Sequence, residues 1–437
     1  MSRLADWIRR ARATTPGRFR LWSLVLSALL VALAVLGSLV ASNVSSATRR
    51  IRDNTGPALV ATQLVTASLA EADAAATAAF LSGSEEDPEQ RRLYEQALAR
   101  AFQYTEEVSA GIGDDPSSHR SLQELSVLMS RYAGLVEAGR ASNRAGVAGA
   151  STYLLASVDL LATEITTKAA GLIEASEARL ERDEAERTVG VAVVLVAGGL
   201  VLIVLVAAQL VLFRRTHRIL NPGLAFATVL VLVAVAWTST TTARSEARFD
   251  RGRQDGYESI ALTAQVASTA YKARADETVA LIGSDRSRQT LADQAASLLM
   301  AMPVTPATLA AVRAGDDPGG AGLFPQVARG ADTARERAAV AELLARWQRY
   351  RDTVALLRAA PSPEQARTVA VGPASSTFNG FNFTLESVLG DNREQFLDAL
   401  DGSARALRGL TIITLALPLL AALGVLVGYQ MRINEYR

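Results

Sequence analysis

Between Thr188 and Thr240 the chain holds two apolar runs of membrane length, Val189 to Phe213 and Leu224 to Trp237 with its flanks, joined by a short polar segment. A helix crossing the ~30 Å hydrocarbon core of a bilayer needs roughly 20 apolar residues, so the pair reads as a transmembrane hairpin. Its linker, residues 214–221, carries Arg214, Arg215 and Arg218 and no acid. The positive-inside bias therefore places that linker in the cytoplasm.

Two more runs of the same kind flank the hairpin, Leu21 to Ser42 and Gly409 to Met431, and none of the four contains a charge. The expected layout is a cytoplasmic basic segment 1–20, spans at 21–42, 188–213, 222–240 and 409–431, and a cytoplasmic tail 432–437. Residues 43–187 and 241–408 then lie outside the plasma membrane, with both termini inside. Charge supports this partition. The first outer segment has 22 acids against 14 bases, the second 20 of each, and the remainder 2 acids against 11 bases. A total of only +1 thus hides a strongly basic inner side, which membrane orientation explains without a nucleic-acid partner. The first span is longer than the apolar core of a secretory signal and reads as an uncleaved anchor. Ahead of it, Leu4, Trp7, Ile8 and Ala11 share a helical face ringed by arginines, which suits either a helix on the inner leaflet or a solvated tail.

Both outer segments read as helical. The first shows Leu122, Leu125, Met129, Tyr132 and Val136 at alternating spacings of three and four, the seam of a left-handed bundle, and then Leu154, Val158, Leu161, Ile165 and Leu172. Helix starts are marked by Asp87-Pro88, with Gln90 as capping-box partner, and by Asp115-Pro116. The second segment repeats the plan with Val340, Leu343, Trp347, Tyr350, Val354 and Leu357, then Phe378, Phe381, Leu385 and Val388. Leu281-Ile282-Gly283-Ser284 echoes Leu81-Ser82-Gly83-Ser84, and Arg349-Tyr350 echoes Arg131-Tyr132, with an insertion expected as loop within Pro303 to Gly330. The fold class is all-α: an integral membrane protein with four transmembrane helices and two extracytoplasmic antiparallel four-helix bundles arising by internal duplication.

Chemistry is sparse. Cysteine is absent, and the two histidines, His119 and His217, fall on opposite sides of the membrane, so no disulfide, thiolate site or histidine-based metal or catalytic centre is expected. No cofactor, metal or catalytic residue is assigned, and the protein reads as a non-enzyme. Spans without an acid or base offer no ion relay. The Arg-Tyr pairs read as bundle packing, and Gln209 as an interhelical hydrogen bond.

The layout resembles the ligand-binding half of bacterial chemoreceptors, yet no cytoplasmic output module is expected, since only residues 1–20, the linker and the tail 432–437 are read as facing inward. Over its whole length it also resembles the actinobacterial GlnX-type four-span proteins. The similarity includes Ala11-Arg12-Ala13-Thr14-Thr15-Pro16-Gly17-Arg18 and Gly111-Ile112-Gly113-Asp114-Asp115-Pro116-Ser117-Ser118-His119-Arg120-Ser121-Leu122. That resemblance implies a signal relay in amino-acid sensing. An extracytoplasmic solute-binding lipoprotein loaded with aspartate, glutamate or glutamine would dock outside, and a cytoplasmic serine/threonine kinase, reached directly or through an adaptor, would respond inside.

In an up-and-down bundle the first and third connections form the membrane-distal tips, which puts Ser84, Glu85, Glu86, Asp87, Asn143, Arg144, Asp285 and Arg286 where a docking partner would touch. Inside, Arg214, Arg215, Arg218 and Arg432 would face the kinase or anionic lipid. Two other readings stay open: a direct small-molecule sensor with its site between the bundles, and a structural subunit of a transport complex. As a direct sensor the first half offers no base between Arg52 and Arg91 while the second offers Lys272 and Arg274, which makes a carboxylate site one-sided. A homo-oligomer is compatible with all three.

Overall fold

The computed structural model describes residues 15–83, 87–113, 115–216, 221–283, 286–301 and 303–435, and among these all regular structure is helical. In chain order the helices are α1 (Thr15–Arg50), α2 (Gly56–Leu81), α3 (Pro88–Gly111), α4 (Pro116–Arg144), α5 (Ala150–Leu160), α6 (Thr166–Thr216), α7 (Pro222–Arg251) and α8 (Glu258–Gly283). They continue as α9 (Arg286–Leu299), α10 (Pro306–Ala314), α11 (Leu323–Arg329), α12 (Ala334–Arg358), α13 (Pro363–Val369), α14 (Ser375–Ala406) and α15 (Leu410–Glu435). Four helical stretches, Arg20–Leu81, Ala150–Arg214, Pro222–Gly283 and Pro363–Met431, are long and apolar enough to cross a membrane.

Single π turns join α1 to α2 (Ile51–Thr55), α5 to α6 (Leu161–Ile165), α7 to α8 (Gly252–Tyr257) and α13 to α14 (Ala370–Ala374). Two have an evident cause. Pro57 and Pro373 have no amide hydrogen to give, and their rings crowd the carbonyl four residues earlier, so the backbone widens by one residue instead of breaking. At the second and fourth turns a hydroxyl satisfies the widened register, Thr166 Oγ1 donating to Leu161 O at 2.8 Å and Ser375 Oγ to Ala370 O at 2.9 Å.

The chain divides into two compact units. One gathers residues from Met1–Arg52, Glu181–Phe249 and Leu400–Arg437. Its core packs Leu26, Leu30, Leu205, Leu224, Val231, Ala421 and Val425 from all four apolar stretches. Gly223 lies directly against the backbone of Gly424 and Gly428, an approach that only small residues spaced four apart permit. Gln209 Nε2 donates to Thr228 Oγ1 at 2.8 Å, the interhelical bond expected of it. The opposite faces stay bare, with Val196, Leu200, Ile203, Leu232, Ile412 and Leu423 all more than half exposed. An apolar surface of that extent is compatible with a multi-pass membrane protein. Charges gather at one end, where Arg50 meets Glu186 at 2.7 Å and Arg187 lies 4.8 Å from the Phe249 ring. Pro418 sits inside an unbroken α15, and the turn Leu407–Gly409, with Gly409 at φ +81°, separates α14 from α15.

The other unit, Asp53–Leu180 with Asp250–Ala399, holds both bundles. Each has its own core along the seams expected from spacing: Leu122, Leu125, Met129, Tyr132, Val136, Ile165 and Leu172 in the first half, and Val340, Leu343, Trp347, Tyr350, Val354, Phe378, Phe381 and Leu385 in the second. The second core is built on rings, with Tyr350 and Phe378 centroids 4.9 Å apart and Trp347 and Phe381 5.3 Å apart. Contrary to expectation, Pro303 to Gly330 is more than a loop. Thr305 caps α10 through a reciprocal bond with Thr308, and Val312, Leu323, Phe324 and Val327 bury into the second core. The segment before Gly372 is likewise helical, because Ser362 caps α13 and the π turn absorbs Pro373.

The two bundles are joined along α2 and α8. In α2, 21 of 26 residues are buried, so it behaves as a central helix shared by both cores, hydrophobic on every side. Ala67 and Ala74 of α2 accordingly belong to the second half's core.

Candidate functional site

Buried charge marks the α2–α8 seam. Between Asp53 and Glu85 the only charged residues are Glu71 and Asp73, both buried among alanine and leucine. On α8, Arg274, Asp276 and Glu277 are buried too. A buried charge is costly without a partner, so each one's partner tells what it does.

Two of the five, Glu71 and Glu277, are answered by an arginine, and Arg274 is held by neutral groups with its buried Nη1 making no hydrogen bond among the described residues. Glu71 meets Arg100 of α3 at 2.5 Å and accepts from Asn382 Nδ2 of α14 at 3.1 Å, while Arg100 also reaches Glu386 at 3.0 Å. Burial pushes the Glu71 carboxyl upward and the Arg100 guanidinium pulls it back. The Tyr271 hydroxyl completes this network by donating to Asn382 Oδ1. Glu277 accepts two bonds from Arg358 of α12, at 2.7 and 3.0 Å. Arg274 donates to Ser375 Oγ at 2.7 Å and Ala370 O at 3.1 Å, with its guanidinium 5.8 Å from the rings of both Tyr350 and Phe378.

Asp73 and Asp276 differ. Asp73 receives one hydrogen bond, from Tyr132 of α4 at 3.2 Å, and has no cation against it among the described residues. Burial raises its carboxyl to about 7. Asp276 pairs with Arg288 of α9 at 3.1 Å through Oδ1, while its buried Oδ2 accepts no hydrogen bond and has Lys272 Nζ at 3.4 Å.

Both carboxylates line one cavity of about 230 Å³ between α2, the α5–α6 segment and α8, whose walls include Leu69, Val158, Ile165 and Ala169. A second cavity, of about 210 Å³, lies on the other flank of the seam against α3 and α14, lined by the Glu71–Arg100 network.

The described residues among those expected at the tips lie at helix ends, Asp87 before α3, Asn143 and Arg144 at the end of α4 and Arg286 at the start of α9. Asn143 Nδ2 donates to Phe80 O and Gly83 O at 3.0 and 3.2 Å, and Leu81 packs with Leu281, Leu357 and Ala370. Asn143 thus closes the end of α2, whereas Arg144 and Arg286 are exposed. Asp87 caps α3 by accepting from Glu89 N at 2.9 Å, so the cap is as expected while the bond goes to the second residue of the helix. Ser84, Glu85, Glu86 and Asp285 lie outside the described residues. So does Arg218, and of the side chains of Arg215 and Arg432 nothing is described. Arg214 is exposed at the end of α6.

Sequence reasoning missed Asp73 and Asp276, and it read Tyr132 as packing alone. The available signal was the isolation of Glu71 and Asp73 in a long uncharged stretch. It placed Lys272 and Arg274 together as bases, yet the structure separates them: Lys272 lines the cavity and Arg274 turns into the aromatic core.

The half that carries Asp73, Tyr132 and the α5–α6 wall has a known counterpart. Residues 47–185 match the actinobacterial sensor domain. The match covers the first half alone and supports an actinobacterial sensor protein with a sensing or signalling role, which points to a non-catalytic function. A comparison with curated proteins found no match.

Proposed function

We propose that this protein is a multi-pass membrane sensor in which an extracytoplasmic unit of two paired bundles receives a stimulus and passes it through four spans to the cytoplasm. One observation carries the reading. The sensor-domain match ends at residue 185, and the second half packs onto that domain through α2 and α8, as a second subunit would.

Duplication accounts for that pairing, since π turns recur after α1 and α7 and again before α6 and α14, each of the latter closed by a hydroxyl bond five residues back. Insertion of the four apolar stretches is supported by their bare apolar faces, and the orientation by the basic inner balance. The stimulus, following the resemblance to GlnX-type proteins, is a solute-binding lipoprotein loaded with aspartate, glutamate or glutamine, docked at the end that holds Asp87, Asn143, Arg144 and Arg286. The receiver is a serine/threonine kinase at the basic inner face.

Two experiments test this. With no native cysteine, single cysteines at 144 and 214 report sidedness without background. Labelling of 144 from outside only, and of 214 from inside only, is expected, and the reverse pattern overturns the topology. Titrating the chain in nanodiscs with the empty and the loaded lipoprotein tests docking. Binding of only the loaded form, weakened at least tenfold by Asp87→Lys with Arg286→Glu, supports it, and affinity unchanged by both substitutions removes the tips from the interface.

A further inference from the structure

We propose that the cavity between α2, α5–α6 and α8 is a binding site for a small organic cation carrying a primary ammonium group. The argument starts from what is missing there. Asp73 is buried, holds one hydrogen bond from Tyr132, and is the one buried acid of the seam with no ion-pair contact among the described residues, Lys272 and Arg288 acting on it only across a distance. Asp276 supplies a second carboxylate whose Oδ2, also buried, accepts no hydrogen bond, and Thr66 Oγ1 on the same wall has no partner among the described residues. Asp276 Oδ2, with Lys272 Nζ at 3.4 Å, and Thr66 Oγ1 thus accept no hydrogen bond around one space, and Asp73 accepts only one. An ammonium group brings three donors, one for each of these side chains, and a positive charge that ionised Asp73 attracts.

Size and wall chemistry narrow the class. A cavity of about 230 Å³ is below the ~300–1,000 Å³ usual for drug-sized ligands, so the occupant has few heavy atoms. Most of its wall is aliphatic, from Leu69, Val158 and Ile165, which suits a short alkyl chain behind the ammonium. A bare metal ion would find two carboxylates, one of them already paired with Arg288 and Lys272, and beyond them only hydroxyls, a poor oxygen set for a hard divalent cation. Lys272 is half exposed at the rim and can meet a carboxylate, if the ligand carries one. A simple amine and an amino acid thus share the same ammonium chemistry and differ at Lys272.

The groups facing Asp73 are Tyr132 from α4, Lys272 and Asp276 from α8 and Arg288 from α9; the α5–α6 wall of the cavity brings no titratable side chain. Only ionised Asp73 attracts the cation, so affinity is expected to fall as the pH drops below 7. This inference goes beyond the sensor reading, because binding is measured on the isolated chain with no partner present.

The test is calorimetric titration of the full chain in nanodiscs with n-butylammonium, norvaline, pentanoate and 1-butanol. Binding of n-butylammonium or norvaline, with no heat from pentanoate or butanol, is expected. Preference for norvaline that Lys272→Met abolishes would identify an amino acid as the source, and equal binding of the two a simple amine. Asp73→Asn should weaken ammonium binding at least tenfold, and Ala169→Leu, which fills the cavity while keeping both acids, should do the same. Thermal unfolding confirms that each variant is folded. Absence of ammonium binding to the wild-type chain, or binding untouched by both variants, overturns the proposal and leaves the docking of a lipoprotein unaffected.

Discussion

The two cavities that flank the α2–α8 seam have nearly the same volume and occupy corresponding places, one against the fourth helix of each half, yet they are finished differently. On the α3–α14 flank, Glu71 is answered by Arg100, Asn382 and, through Asn382, Tyr271. On the α5–α6 flank, Asp73 has only a tyrosine hydroxyl. The difference teaches what each flank is for. A buried acid with its cation built in is a fixed joint between the halves, whereas one without a cation is a place where the structure waits for a charge from outside.

Breaking the fixed joint should have the largest effect. Arg100→Met leaves Glu71 buried without its cation and is expected to destabilise the unit by about 3 kcal/mol, the usual cost of orphaning one member of a buried pair. Chemical denaturation at pH 8 measures it, and a loss no greater than that of an exposed pair would mean that the network does not join the halves.

Next in size is the opposite result at Asp73. Its folded carboxyl is raised to about 7 from an ordinary 3.8, so the folded chain holds a proton that the unfolded chain gives up. The full contribution of that proton is present below about pH 4 and is lost as the pH rises through 7. Asp73→Asn keeps an acceptor for Tyr132 and removes the charge. It should therefore stabilise the unliganded chain by a few kcal/mol at pH 8 and by almost nothing at pH 4. A substitution that destabilises at every pH would put Asp73 in the same structural role as Glu71 and dissolve the contrast.

The smallest effect sharpens the comparison from outside it. Asp87→Ala removes a helix cap remote from both cavities and should cost about 1 kcal/mol without altering ammonium binding. Altered binding would show that the cavity responds to general loosening.

Much of the fold was legible before any coordinates. Spacings of three and four located the seams Leu122 to Val136, Val340 to Leu357 and Phe378 to Val388, because a bundle core writes its period into the chain. Asp-Pro pairs located helix starts, because aspartate accepts the free amides there and proline gives up none. The insertion before α12 was misread as loop, since its Pro and Gly signals mark helix ends as well as loops, and Phe324 and Val327 reach the core from a helix of only seven residues. The site was the least legible part. Glu71 and Asp73 stand two residues apart on one helix and look alike in sequence, but a separation of two turns them to different flanks, and only the packing of α8 against α2 decides which of them meets an arginine. A periodicity analysis reads one helix at a time and does not contain that pairing.

The most direct measurement of the central claim is the distance between nitroxide labels on the exposed positions Thr163→Cys and Gln265→Cys, on either side of the unfinished cavity, in nanodiscs at pH 8. The account predicts that saturating n-butylammonium shortens and narrows the distribution in the otherwise native chain and leaves it unchanged in Asp73→Asn. An identical distribution with and without the ammonium, in a chain that binds it, would show that filling the cavity moves nothing and would contradict a sensor built on that seam.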